Sequence, residues 1–111
     1  MLEECKIVSQ SKIIITYGTV TMSNTASFLG RYGINKTIIL FGASIPANEK
    51  ASEVLFNFGY SLATAKMLDH GVYIAMNGQN FTHSNVKKNM QTGNFETISS
   101  NTFYIFNKII L

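Results

Sequence analysis

Lys12-Ile13-Ile14-Ile15-Thr16-Tyr17-Gly18-Thr19-Val20-Thr21-Met22 reads as a buried strand running into a turn. The apolar, β-branched run stops at Gly18 and passes into a hydroxyl-rich turn before helix-like sequence begins. Open α/β sheets bind ligands at such junctions, where strands deliver their carboxyl ends. Two further runs, Thr37 to Phe41 and Val72 to Met76, are also nearly all apolar. Strands covered on both faces have this composition, as in a parallel sheet.

The stretches between these runs have helical spacing. Ser23 or Asn24 is placed to cap a helix carrying Ala26, Phe28 and Leu29 and ending near Gly30 or Gly33. A second helix is expected from about Ala51 to Leu68, with Val54, Leu55, Phe58, Leu62 and Ala65 on one apolar face. Gly71 closes it, and the loop from Gly42 to Lys50 holds the only proline, Pro46. The predicted order is β-α-β-α-β. It implies right-handed crossovers and a three-layer αβα fold around a short parallel sheet. Asn85 to Met90 fits a short helix, and Thr102 to Leu111 reads as a strand-like tail that would attract a partner strand.

The chain has 111 residues, 46% hydrophobic and only 14% charged. That length makes one domain, 1–111. The charged fraction is far below the ~25% usual for soluble domains, which predicts surface covered by another subunit or belonging to a longer chain, and a homo-oligomer is expected. No apolar run nears the ~18 residues of a membrane span, so no membrane association is expected. The net charge of +3 is scattered, and Lys87-Lys88 is the only adjacent basic pair, which argues against nucleic acid as partner. The acidic, amphipathic start from Met1 to Lys6 does not read as a secretion signal, and the single cysteine, Cys5, suits the cytoplasm.

The expected strand ends are Gly18-Thr19-Val20-Thr21, Gly42-Ala43-Ser44 and Asn77-Gly78. A free threonine hydroxyl is a poor nucleophile and needs an adjacent base, such as a buried lysine. Lys88 or Lys87 serves if the segment after the third strand folds back over the sheet. Alternatively, Thr19 and Thr21 are turn and cap residues and the lysines a solvated surface. His70 suits a helix end, His83 a loop, and Cys5 a buried thiol. No histidine, cysteine or acid has metal-ligand spacing, so neither metal nor other cofactor is expected. The turn also lacks the glycine patterns of nucleotide sites.

Ile15 to Met22 resembles the second signature of bacterial-type L-asparaginases, I-T-H-G-T-D-T-M. Four further blocks follow in order. Lys36 to Pro46 is similar to K-x-[VI]-[VI]-L-x-G-A-M-x-P, Ser52 to Asn57 to S-D-A-x-F-N, and Gly71 to Gly78 to G-V-Y-[IV]-A-M-[NH]-G. Asn85 to Asn89 resembles the stretch holding the family's catalytic lysine, and the likeness covers roughly residues 2–96, leaving 97–111 unassigned. The resemblance implies part of an α/β amidohydrolase N-terminal domain that converts L-asparagine to L-aspartate and ammonia. By position it makes Thr19 and Lys88 catalytic, and places Gly18, Val20 and Ala43 at the substrate.

Departures from the pattern matter as much. Val20 stands where the family has aspartate, Tyr17 where it has histidine, and Ser44 where it has methionine. The sequence contains no T-G-G-T segment, the loop whose threonine attacks the amide in the family. The expectation is a truncated, asparaginase-like chain, inactive alone. Two alternatives remain: a non-catalytic module that binds asparagine or aspartate or drives oligomerisation, and one part of a split enzyme.

Overall fold

The computed structural model describes residues 1–43 and 51–99. The elements are α1 (Leu2–Ile7), β1 (Lys12–Thr16), α2 (Met22–Gly30), β2 (Thr37–Phe41), α3 (Ala51–Ala65), β3 (Gly71–Met76), β4 (Gln79–Thr82), β5 (Lys87–Lys88) and β6 (Phe95–Glu96). The first four strands in order form one sheet, and β5 and β6 form a separate two-stranded ribbon. β1 pairs with β2 and β2 with β3 in parallel, as the apolar runs predict. Every residue of β2 is buried, because β2 has a strand on each side and a helix on each face.

Strand alternation divides the core. Ile38, Leu40, Val72, Ile74 and Met76 turn to one face, where they meet Met22, Ala26 and Leu29 of α2 and Cys5 of α1. Ile39 and Ala75 turn to the other, where they meet Ala65 near the end of α3, with Ile14, Tyr60 and Leu68 alongside. This is the αβα sandwich expected from the sequence. Two lysines fasten helix ends to it. Lys36 Nζ donates to the carbonyls of Cys5 and Val8 at 2.7 and 2.6 Å, and Lys12 Nζ donates to the Ala65 carbonyl at 2.8 Å.

Several sequence expectations are corrected. The sheet is mixed rather than wholly parallel, because Asn77-Gly78 makes a two-residue hairpin and returns the chain as antiparallel β4. Both turn residues have positive φ, 52° and 77°, the geometry that suits Asn-Gly in hairpins. Asn85 to Met90 is not helical. β5 pairs with β6, and the Asn85 side chain accepts the Ile98 and Ser99 N–H groups while Asn89 accepts those of Gln91 and Thr92. Asparagine side chains compete in this way with helical hydrogen bonding. α2 starts at Met22 behind Thr21 with no side-chain cap, so neither Ser23 nor Asn24 is the cap.

α3 departs furthest from its expected face. Leu55, Phe58 and Leu62 are 69%, 42% and 45% exposed, whereas Asn57, Ser61 and Thr64 are buried. α3 ends at Ala65, and residues to Leu68 continue only as a turn whose N–H groups return to Ala63 and Thr64. The expected loop around Pro46, Ser44 itself and the expected tail strand from Thr102 lie outside the described residues.

Candidate active site

The carboxyl ends of β1 and β2 come together because the second of them carries a glycine. A Cβ at Gly42 would run into the Tyr17 carbonyl and lie 3.4 Å from Cγ2 of Thr19. The Tyr17 N–H also donates to the Phe41 carbonyl at 2.8 Å, extending the pairing past the end of β1. The chain then exposes Gly18, buries Thr19 and exposes Val20 before α2 begins. Ala43, partly buried, follows Gly42 at the neighbouring strand end.

Lys88 reaches this corner from the β5–β6 ribbon. Its Nζ donates to Thr19 Oγ1 at 2.8 Å, a partly buried contact across 69 residues of sequence. The ribbon is seated on the α2 side of the sheet by Val86 and Phe95, both members of that core. Alternation along β5 separates the two lysines. Lys87 faces Glu96, with Nζ 3.9 Å from its carboxylate, and Lys88 is opposite Phe95. Among the described residues, no carboxylate lies within 4.0 Å of Lys88 Nζ. Of the two lysines left open by the sequence, Lys88 is the one beside Thr19.

This pairing gives Thr19 a defined polarity. The lysine occupies one lone pair of the hydroxyl oxygen, and the hydroxyl proton remains available to an acceptor. Thr19, Lys88, Gly18 and Val20 therefore converge at the end of β1, with Ala43 at the adjacent strand end. The third expected strand end, Asn77-Gly78, is an exposed hairpin turn between β3 and β4.

Asn57 is a residue the sequence reading missed. It is fully buried, and its Nδ2 donates to the Gly42 carbonyl at 2.7 Å while its Oδ1 accepts the Asn77 N–H at 3.0 Å. One amide thus ties the ends of β2 and β3 together. The signal was a polar residue within the hydrophobic pattern of α3, where a buried amide must be fully paired. Ser61 and Thr64 solve the same problem locally, donating to the carbonyls of Asn57 and Ser61.

The remaining candidates lie apart from this corner. His70 precedes β3, at the opposite end of the sheet, and its Nδ1 is hydrogen-bonded to Oδ1 of Asn35. The His83 ring covers Gly30, where a Cβ would collide with it, and the His83 backbone N–H joins the sheet through the Val72 carbonyl. Cys5 is buried in the core, and burial pushes its thiol pKa up, away from nucleophilic character. Among the described residues, no three histidine, cysteine or acidic side chains are grouped to hold a metal ion. A cavity of about 520 Å³ lies between β4 and β6, lined by Met76, Asn77, Gln79, Phe81 and Phe95 among others, and neither Thr19 nor Lys88 lines it. No helix among the described residues is long and apolar enough to cross a membrane.

Comparison with known proteins supplies the context for this geometry. A family model described as Asparaginase, N-terminal, matches residues 6–109. A protein of Haemophilus influenzae named probable L-asparaginase periplasmic is 36% identical over 93 residues. That alignment covers 80% of this chain and 26% of the relative, so the chain spans about a quarter of the relative's length.

Proposed function

From the premise that this chain belongs to the asparaginase family, through that family's N-terminal domain, we propose that it carries the supporting half of an amidohydrolase site. In this reading Thr19 and Lys88 are the proton-handling pair, and Gly18, Val20 and Ala43 border the ligand. The single observation that carries it is the 2.8 Å hydrogen bond from Lys88 Nζ to Thr19 Oγ1. A lysine beside a threonine hydroxyl is the arrangement that moves a proton on and off an attacking or leaving group.

These 111 residues alone do not hydrolyse L-asparagine. They include no T-G-G-T threonine, and Val20 offers no carboxylate to hold the lysine. Incubating the purified chain with L-asparagine and assaying ammonia tests this. The expected result is release no faster than from heat-inactivated protein, and sustained release overturns it.

Part of a split enzyme is the second reading. It draws on the position of β1 at the end of the strand order, where one side of the strand is free to pair among the described residues. A separate T-G-G-T-bearing polypeptide would then restore ammonia release on mixing. We also propose a homo-oligomer, supported by the exposed Leu55, Phe56 and Leu62 of α3. A clean monomer by light scattering would contradict it. The cytoplasm is proposed on the single cysteine, whereas the Haemophilus relative is named periplasmic, and fractionation of the source cells separates the two.

A further inference from the structure

At the other end of the sheet from Thr19 and Lys88, the first three strands start in register. Lys12 is opposite Thr37, and Thr37 is opposite Gly71. The turn that leads from α3 into β3 is tied to these starts. Lys12 Nζ donates to the Ala65 carbonyl at 2.8 Å, and Thr37 Oγ1 donates to the Leu68 carbonyl at 3.4 Å. Beside the turn is a cavity of about 530 Å³, lined by Lys12, Lys66, Met67, Leu68, Asp69 and His70.

Two ammonium groups and an imidazole therefore share one cavity, and two of the three are held in place. An ammonium has three N–H donors, and Lys12 uses one on the Ala65 carbonyl. The same bond answers the negative carbonyl end of α3, which would otherwise repel an anion. The His70 ring is fixed through Nδ1 against Oδ1 of Asn35. That oxygen is an acceptor, so Nδ1 carries the hydrogen and Nε2 is left for another partner. Lys66 adds an exposed ammonium.

The sequence holds six acids, and their places fix the charge here. Asp69 lines the cavity on its Tyr73 side, where the Tyr73 hydroxyl donates to the Asp69 carbonyl at 2.9 Å. Glu3 and Glu4 belong to α1, on the other face of the sheet, and Glu53 to the first turn of α3. Glu96 meets Lys87 and Asn89 in the ribbon. Glu49 precedes α3 in the chain, whereas the cavity follows that helix, fifteen residues and about 22 Å further on.

We propose that this cavity binds a small soluble phosphomonoester, its phosphate held by Lys12, Lys66 and His70 and a hydroxyl of its body held by Asp69. The site is separate from the Thr19–Lys88 pair and stands without it. A phosphate brings three terminal oxygens to three groups, and its charge matches two ammonium ions. Its acidic hydroxyl also suits His70, since Nε2 accepts that hydrogen or, once the ring is charged, donates in turn. Asp69 repels a bare anion and accepts from an alcohol, which favours the ester over inorganic phosphate. The volume lies within the ~300–1,000 Å³ usual for small-molecule sites.

Amide NMR of the full chain tests this by titration with glycerol 3-phosphate, with sodium chloride at equal ionic strength as the control. Saturable shifts are expected at residues 66–71, and glycerol alone should give none. Lys66→Gln, at an exposed position, should weaken binding by about tenfold while the rest of the spectrum stays in place. Asp69→Asn should tighten inorganic phosphate by about threefold, through loss of a like charge. Shifts matched by sodium chloride overturn the proposal, because they report screening alone. Binding that survives both Lys66→Gln and His70→Gln places the ligand elsewhere and also overturns it. Co-sedimentation with phosphatidylcholine vesicles containing phosphatidic acid, without a saturable response to glycerol 3-phosphate, would make the phosphate a lipid headgroup and overturn the soluble ligand.

Discussion

The two faces of the sheet are built on opposite plans. On the α1–α2 face, apolar side chains of both helices meet apolar strand residues, with Met22, Ala26 and Leu29 wholly buried. On the α3 face, the buried helix positions include Asn57, Ser61 and Thr64, while Leu55 and Leu62 look outward and the half-exposed Phe58 ring lies against Phe41 of β2, 5.6 Å between centroids. The first face is held by burial of apolar surface. The second is held in part by the buried Asn57 amide, whose hydrogen bonds lock two strand ends, while Ser61 and Thr64 satisfy their hydroxyls within the helix. Helical periodicity therefore reports that a helix has an apolar stripe, without reporting that the stripe faces this sheet.

The largest expected effect comes from the apolar face. Ile74→Ala removes a fully buried side chain from the middle of the core. It should lower unfolding free energy by about 2–5 kcal/mol in urea titration. A loss under about 1 kcal/mol would mean that this face is loosely packed.

Asn57→Ala should cost less, about 1–3 kcal/mol, because it leaves the Gly42 carbonyl and the Asn77 N–H without their shared partner. Its more specific signature is local. Amide exchange at Asn77 should accelerate more than exchange in the middle of β2. Uniform acceleration would reduce Asn57 to a general packing residue.

The smallest effect belongs to the outward stripe. Leu62→Ser should leave monomer stability within about 0.5 kcal/mol, since the side chain is 45% exposed. The same substitution should lower the molar mass seen in light scattering if that stripe joins copies of the chain. A drop in stability with no change in mass would place Leu62 in the core after all.

Much of the fold was readable in the sequence, because three β-branched runs separated by helical spacings admit few architectures. The missed features share a cause. Asn77-Gly78 carries a hairpin signal as strong as any in the chain, yet apolar residues before it also suit a parallel strand ending at a ligand loop. The Asn85–Met90 segment has helix-compatible residues, and its asparagine side chains take backbone N–H groups instead. For α3, the deciding information is which partners lie beyond the helix, and a hydrophobic pattern does not contain it.

At the candidate site, Gly18, Thr19 and Val20 were visible as a turn after an apolar run, and Ala43 as its neighbour at the second strand end. Residue types and spacing alone left Lys88 and Lys87 open, and only the family resemblance chose Lys88, because the choice follows from alternation in a ribbon read as a helix. Asn57 was hidden for the same reason as the orientation of α3. Side chains that serve the site through long-range hydrogen bonds leave no local spacing to read.

The pairing of Thr19 with Lys88 is the claim on which the site depends, and a double-mutant cycle addresses it most directly. Unfolding free energies of Thr19→Val, Lys88→Met and the double variant would be compared with the unmodified chain. A coupling energy of about 1 kcal/mol is expected for a partly buried hydrogen bond from a lysine. Strict additivity, within about 0.3 kcal/mol, would mean that the two side chains do not act on one another and that no ligand corner is assembled there.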